Sequence, residues 1–382
     1  MTNFPVGYHK FHPKEAINFQ MNRWYSSGCI DYETLVAIGK KATGFAQWVK
    51  TFLDLSMEFH KEGNYITAAT CLRAAQFYTL GEQRDESGHL LKVVLYERCM
   101  EEYNLAYKNA GLTYERVPFE NGYLPVLYRK HESNSKGVVV MHGGYDSFIQ
   151  EFIPYMQYIY ENGYDVYMFE GCGQGEVLNR CNIKMRPEWE ECTSPILDYF
   201  ALTDVTLIGI SLGGYLAERA AAHDRRIQRV VLFDLIYDFY GALLQKIPQP
   251  FRKIVQTLMK DPKNPLWKPA EKIIFKNPFG KWLFEQGRYV YGDIHSFYDY
   301  LNCIKAYNTK EISAQLKQDV LVMAGSDDMY TVFFDAQMQA LRNAKSVNGR
   351  IFTEKDHASH HCQIGNIKLA LDYILEWHES LA

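Results

Sequence analysis

No stretch of this 382-residue chain approaches the ~18 consecutive apolar residues of a membrane-spanning helix, so no membrane partner is expected. A surplus of one charge is missing too. The formal net charge of −4 offers neither the basic footprint of a nucleic-acid binder nor a strongly acidic tail. No C-x-x-C pair occurs; the eight cysteines, at 29, 71, 99, 172, 181, 192, 303 and 362, are scattered. That scatter speaks against a zinc site or a disulfide framework and suits reduced thiols in the cytoplasm. The opening MTNFPVGYHKFHPKE holds no apolar h-region and no small-residue cleavage site, so no secretory signal is expected. No metal or cofactor is called for, and a small molecule is the expected partner.

What is present divides near residue 112. Before it the apolar residues recur at helical spacing: Phe45, Trp48, Val49 and Phe52, then Ala68, Cys71, Leu72, Ala75, Phe77 and Tyr78, then the run LLKVVLYERCMEEYNLAY. Turn signals at Gly63-Asn64 and Gly81 separate them. Residues 1–112 read as an all-helical domain.

From 113 to 382 short apolar strands alternate with amphipathic helices, the pattern of an α/β domain whose mostly parallel sheet is covered on both faces. Asn121-Gly122 marks a hairpin between YERVPFE and YLPVLYRK. Strands are then expected at 137–144, 164–171, 205–210, 229–235, 319–325 and 349–354. Helices are expected near 148–161, 194–202, 212–222 and 331–343, with a last one from about Gln363. The stretch at about 239–312, rich in Phe, Tyr and Trp and broken by prolines, reads as a helical cap inserted over the strand ends.

Chemistry enters at Gly209-Ile210-Ser211-Leu212-Gly213, a G-x-S-x-G match. The bare motif is weak, arising by chance in roughly one chain of this length in ten. Its setting is specific: a strand precedes it and an Ala-rich helix follows, the strand–turn–helix elbow that exposes a nucleophilic serine in the α/β-hydrolase fold. A serine hydroxyl needs a base to take its proton and an acid to orient that base. The fold places these later, in the order Ser, Asp, His. After the strand VLVMAG stand Asp327 and Asp328, and the G-x-x-D spacing from Gly325 selects Asp328; Asp234 is an outside candidate. The loop KDHASHHCQ offers His357, His360 and His361, among which spacing does not choose. Oxyanion donors are expected at the amide of Leu212 and in His142-Gly143-Gly144-Tyr145, where Gly144 is favoured with Tyr145 close behind. His142 reads as a structural residue of that turn.

The segments HGGYDSFIQEF, FEGCGQGE, GISLGGYLAERAAAHD and HHCQIGN resemble the α/β hydrolases related to 2,6-dihydroxypseudooxynicotine hydrolase, a group that includes the fungal polyketide-shortening hydrolases of melanin biosynthesis. ITAATCLRAAQFYTLGEQ resembles their N-terminal helical domain, so the likeness spans nearly the whole chain. Cys172 departs from their usual G-P-G-Q-G, and no proline follows Asp328 closely. The resemblance implies that the base is the histidine directly before Cys-Gln, His361. It also implies a helical domain packed over the entrance with the cap, and a homodimer. The expected activity is hydrolysis of a small-molecule carbonyl substrate, by ester cleavage or cleavage of a C–C bond next to a ketone. An acylaminoacyl-type peptidase is the alternative enzyme, and a non-catalytic binding protein the alternative to an enzyme.

Overall fold

The computed structural model describes residues 3–381. Five helices come first: α1 (Glu15–Ser26), α2 (Tyr32–Lys41), α3 (Phe45–Lys61), α4 (Tyr65–Tyr78) and α5 (Leu91–Tyr107). Helix α4 is buried from Thr67 to Tyr78 on every side, because α3 and α5 flank it. The Trp48 indole closes the α3–α4 contact by donating to the Ala74 carbonyl at 2.7 Å. Helices α1 and α2 were not foreseen. The buried face of α1 carries Asn18, Gln20, Asn22 and Ser26, which hide its apolar period. Helix α2 is short and begins at Asp31, whose carboxylate accepts from the Thr34 N–H at 2.8 Å.

Eight strands follow: β1 (Thr113–Phe119), β2 (Gly122–Arg129), β3 (Val138–His142), β4 (Asp165–Phe169), β5 (Val205–Ile210), β6 (Ile227–Phe233), β7 (Asp319–Gly325) and β8 (Ser346–Phe352). They form one sheet in the order β1-β2-β4-β3-β5-β6-β7-β8. The β1–β2 hairpin turns at Glu120-Asn121, and β2 runs antiparallel to β4. The other pairings are parallel. Every residue of β5 and β7 is buried, as expected for inner strands covered on both faces.

Between strands lie α6 (Ile153–Glu161), α7 (Gly175–Asn179), α8 (Glu190–Tyr199) and α9 (Gly213–His223). The stretch expected to be a cap holds α10 (Phe239–Gln245), α11 (Gln249–Leu258), α12 (Trp267–Lys276), α13 (Pro278–Tyr291) and α14 (Phe297–Ile304), and α15 (Phe334–Ala340) and α16 (Ile367–Glu379) complete the chain. Helices α6 and α16 pack on one face of the sheet, α8 and α9 on the other. Helix α16 starts four residues later than expected. Cys362 and Gln363 occupy left-handed backbone at φ 53° and 49°, so the helix begins only where the Asn366 side chain caps it.

The helical layer and the inserted helices meet each other and the sheet. Trp282 of α13 donates to the Phe77 carbonyl at 2.7 Å. Arg73 of α4, fully buried, donates to Glu151 at 2.7 Å and to the Asp146 carbonyl at 2.8 Å.

Candidate active site

Ser211 stands between β5 and α9, on backbone at φ 64°. That conformation costs a non-glycine residue roughly 1–2 kcal/mol and throws the side chain out of the turn. The turn tolerates no bulk: a Cβ on Gly209 would lie 1.9 Å from the Gly213 carbonyl oxygen. The Ser211 N–H donates to the Phe233 carbonyl at 2.6 Å, tying the elbow to β6.

Three side chains from three segments converge there. Ser211 Oγ lies 2.7 Å from His361 Nε2, and His361 Nδ1 lies 2.5 Å from Asp328 Oδ2. Of the late-loop histidines only His361 is in this chain of contacts. The His360 ring stacks on Tyr8 at 3.5 Å between centroids, and His357 is exposed on left-handed backbone. Asp327 offers its backbone N–H to the Ser359 carbonyl at 2.8 Å, which fastens the acid loop to the histidine loop.

The electrostatics follow from burial and opposition of charge. Burial alone would lower the proton affinity of His361, but the facing Asp328 carboxylate outweighs it and raises the imidazole well above its ordinary value. Burial likewise pushes Asp328 up, and the His361 charge pulls it below the usual carboxylate range. His361 keeps 22% of its side-chain surface accessible and Asp328 only 4%, so the histidine faces open space and the acid stands behind it.

Asp234, the outside candidate for the acid, has a different place. It is fully buried, 3.6 Å from His361 Nδ1. It accepts from the Cys362 N–H at 2.8 Å and the Gln363 side-chain amide at 2.6 Å. It therefore pins the left-handed turn that aims His361. Burial, and then the Asp328 charge, push its carboxyl well above the usual range.

The 142–147 loop carries both candidate oxyanion donors, Gly144 and Tyr145. The Gly144 N–H is engaged, donating to Ser147 Oγ at 2.9 Å, because the loop folds back on its own hydroxyl. Gly144 nonetheless lies tight against the elbow: a Cβ there would come within 2.8 Å of the Leu212 nitrogen and 3.0 Å of Ser211 Cβ. Gln174, unrecognised as functional in the sequence, donates to the carbonyls of Gly143 and Gly144 at 2.8 and 2.7 Å. It fixes the peptide planes of the loop, and its only sequence signal is the G-x-G-Q-G run. His142 is buried, with one ring nitrogen 3.0 Å from the Gly143 carbonyl oxygen. Burial pulls it down to about 4, which keeps the ring neutral. Asp146 closes the loop, held by Arg73 of the helical layer and, at 3.1 Å, by Gln286 of α13.

No protein-family model matches the chain. In sequence it is similar to the α/β hydrolase psoB of Aspergillus fumigatus, 31% identical over 243 residues, 57% of this chain and 53% of that protein. It is similar also to the hydrolyase poxO of Penicillium oxalicum, 29% identical over 271 residues, 61% of this chain and 63% of that one. The chain spans between about half and just under two thirds of the length of these relatives. In structure it is similar to 2,6-dihydroxy-pseudo-oxynicotine hydrolase, with a TM-score of 0.64 and 18% identity, covering 93% of this chain and 94% of that one. It is similar as well to AbyA5, with a TM-score of 0.59 and 14% identity, covering 92% and 85%. At such identities the structural likeness speaks for the fold alone. The chain has the α/β-hydrolase fold, and over about half its length it resembles fungal proteins that bear the name hydrolase.

Proposed function

We propose that this chain is a serine hydrolase that cleaves a small-molecule carbonyl substrate, an ester or a C–C bond next to a ketone. The observation that carries the reading is the unbroken hydrogen-bonded chain from Ser211 Oγ through His361 to Asp328. In this reading Ser211 attacks the carbonyl carbon and His361 Nε2 takes the hydroxyl proton. Asp328 holds the ring in the tautomer that leaves Nε2 free to accept it. The charge that develops on the carbonyl oxygen is met by the N–H of Leu212 and, since Gly144 is engaged with Ser147, by the N–H of Tyr145. His361 returns the proton to the departing alkoxide or carbanion, and water repeats the sequence on the acyl-enzyme. The names of the relatives favour hydrolysis. Five helices before Thr113 weigh against the peptidase alternative, whose members carry a β-propeller there.

Turnover of a panel of p-nitrophenyl esters, β-diketones and peptide anilides tests the reading. Hydrolysis of esters or diketones is expected. Turnover of anilides alone would return the peptidase, and no turnover at all the binding protein. Action as a cytoplasmic homodimer is part of the same proposal, and sedimentation equilibrium showing only monomer would remove the dimer from it.

A further inference from the structure

The formal charge of −4 hides a strong local imbalance. Residues 246–281, which hold α11, α12 and the start of α13, carry nine Lys or Arg and two Asp or Glu. That is a net +7 against −4 for the whole chain, which leaves −11 for the rest. The seven lysines from Lys246 to Lys276 are all exposed. Among the described residues the one ion pair of this stretch joins Lys281 to Glu285 at 3.7 Å. Glu271 is turned inward, accepting from the Phe297 N–H at 2.7 Å.

The same stretch exposes apolar side chains. Five of the thirteen large hydrophobic residues exposed among the described residues lie in it: Phe251, Ile254, Leu266, Ile273 and Phe279. Ile273 keeps 71% of its surface accessible, Phe251 61% and Leu266 59%. Their placement is not scattered. Phe251, Ile254, Val255 and Leu258 recur at helical spacing as one stripe of α11. Val255 and Leu258, with Trp267, Ala270 and Ile274 of α12, line one cavity of about 270 Å³, whereas Phe251 and Ile254 stand in solvent. The Trp267 indole fastens the turn between the helices, 3.2 Å from the carbonyls of Leu258 and Asp261. The first turn of α13 abuts α12, since a Cβ on Gly280 would lie 2.5 Å from the Ile274 carbonyl oxygen. Apolar side chains and lysines thus share an outer surface built by three adjoining helix segments.

We propose that this outer surface of the inserted helices docks on an anionic lipid bilayer, with Phe251, Leu266 and Ile273 entering the headgroup region and the lysines meeting the lipid anions. Clustered exposed apolar side chains mark an interaction surface, whereas single ones are ordinary. A helix with an apolar stripe and a basic polar face lies in the plane of a membrane interface, and clustered lysines are drawn to anionic leaflets. Charge and apolarity together decide the occupant. A second copy seated on this face by twofold symmetry would set +7 against +7, and a nucleic-acid backbone would leave the phenylalanine and isoleucines unused. No described helix is long and apolar enough to cross a membrane. Docking on the surface needs none, so the lack of a spanning segment does not exclude this partner. The proposal is independent of the serine-hydrolase reading.

Sedimentation with sucrose-loaded vesicles tests it, using phosphatidylcholine alone and phosphatidylcholine with about 30 mol% phosphatidylserine. The wild type should bind the anionic vesicles on the order of 100-fold more tightly than the neutral ones. Lys260→Gln, Lys268→Gln and Lys272→Gln combined should weaken that binding by about fivefold per lysine. Phe251→Ser with Ile273→Ser should weaken it about tenfold, with Tm unchanged because both side chains stand mostly in solvent. Equal partition onto the two kinds of vesicle, or anionic binding that the serine variant leaves unchanged, overturns the proposal. Two further results would overturn it by giving the face another occupant. Self-association in sedimentation velocity that the serine variant abolishes, without vesicle binding, assigns the face to a second copy. Binding to duplex DNA that is tighter than to vesicles and insensitive to the serine variant assigns it to nucleic acid.

Discussion

Ser211 holds its left-handed backbone because β5, α9 and the Phe233 carbonyl fix the turn around it, and alanine fits that turn as well as serine does. Ser211→Ala should therefore fold and lose turnover by several orders of magnitude; kcat near that of the wild type would move the nucleophile elsewhere. Among the histidines, His361→Ala should lower kcat for a p-nitrophenyl ester by a similar factor. His357→Ala, at an exposed position, and His360→Ala, which loses only a stack on Tyr8, should cost far less. Circular dichroism of the three variants checks folding, and a dead His357→Ala beside an active His361→Ala would contradict the assignment. The acid behind His361 sets a pH dependence. His361 must lose its proton to act as a base, and Asp328 holds that proton affinity well above the ordinary value against the effect of burial. Activity should thus rise with pH through a value above ~6.5 and then level off. Asp328→Asn removes the charge and leaves the burial, so the rising limb should move to lower pH while kcat falls by about 10⁴. A limb that stays in place in the kcat/KM profile would contradict this. The serine could be read from its motif because the elbow is a local structure. Which histidine faces it could not, since the left-handed turns at His357, Cys362 and Gln363 decide where each ring points. Asp234 pins that turn from 128 residues away, a distance no local pattern records.

The helix α4 and the loop 142–147 are joined by Arg73, whose guanidinium is wholly buried and donates to Glu151, Gln76 and the Asp146 carbonyl. Removing one partner of a buried ion pair is costly, about 3 kcal/mol or more. Glu151 keeps Arg23 as a second partner, so Arg73→Met should lie near that lower figure in urea unfolding. Because Asp146 belongs to the loop facing Ser211, the same variant should also lower kcat; a loss of stability under 1 kcal/mol with unchanged kcat would show the contact to be peripheral. The inserted helices α10–α14 carry a complementary expectation. Their proposed role as a cap predicts that loosening them alters selectivity across acyl chain lengths more than the rate with a small activated ester, and unchanged selectivity would contradict that role. Strands β3 to β7, the β1–β2 hairpin and α9 were legible because their periods are clean and their turns carry glycine. Helices α1 and α2 were not, since buried polar side chains interrupt the apolar period of the first and the second is short. The expected strand at 349–354 begins instead at Ser346, where pairing with β7 rather than local hydrophobicity sets the start.

Taken as a whole, the molecule brings one site together from parts far apart in the chain. The sheet supplies Ser211, Asp328 and His361 at its strand ends. The helical layer reaches the same place through Arg73 and through Phe19 of α1, whose ring lies 6.5 Å from that of His361, and the inserted helices reach it through Gln286. Layered architecture was readable from the change of period near residue 112; the contacts between layers were not, because they join side chains such as Arg73 and Glu151, 78 residues apart. The claim on which the rest depends is that His361 activates Ser211, and the mass of the intact protein after exposure to a fluorophosphonate tests it most directly. The wild type should gain one adduct, located at Ser211 by peptide mapping; Ser211→Ala should gain none, and folded His361→Ala should react far more slowly. An adduct on another residue, equal labelling of Ser211→Ala, or an unlabelled but folded wild type would contradict the account.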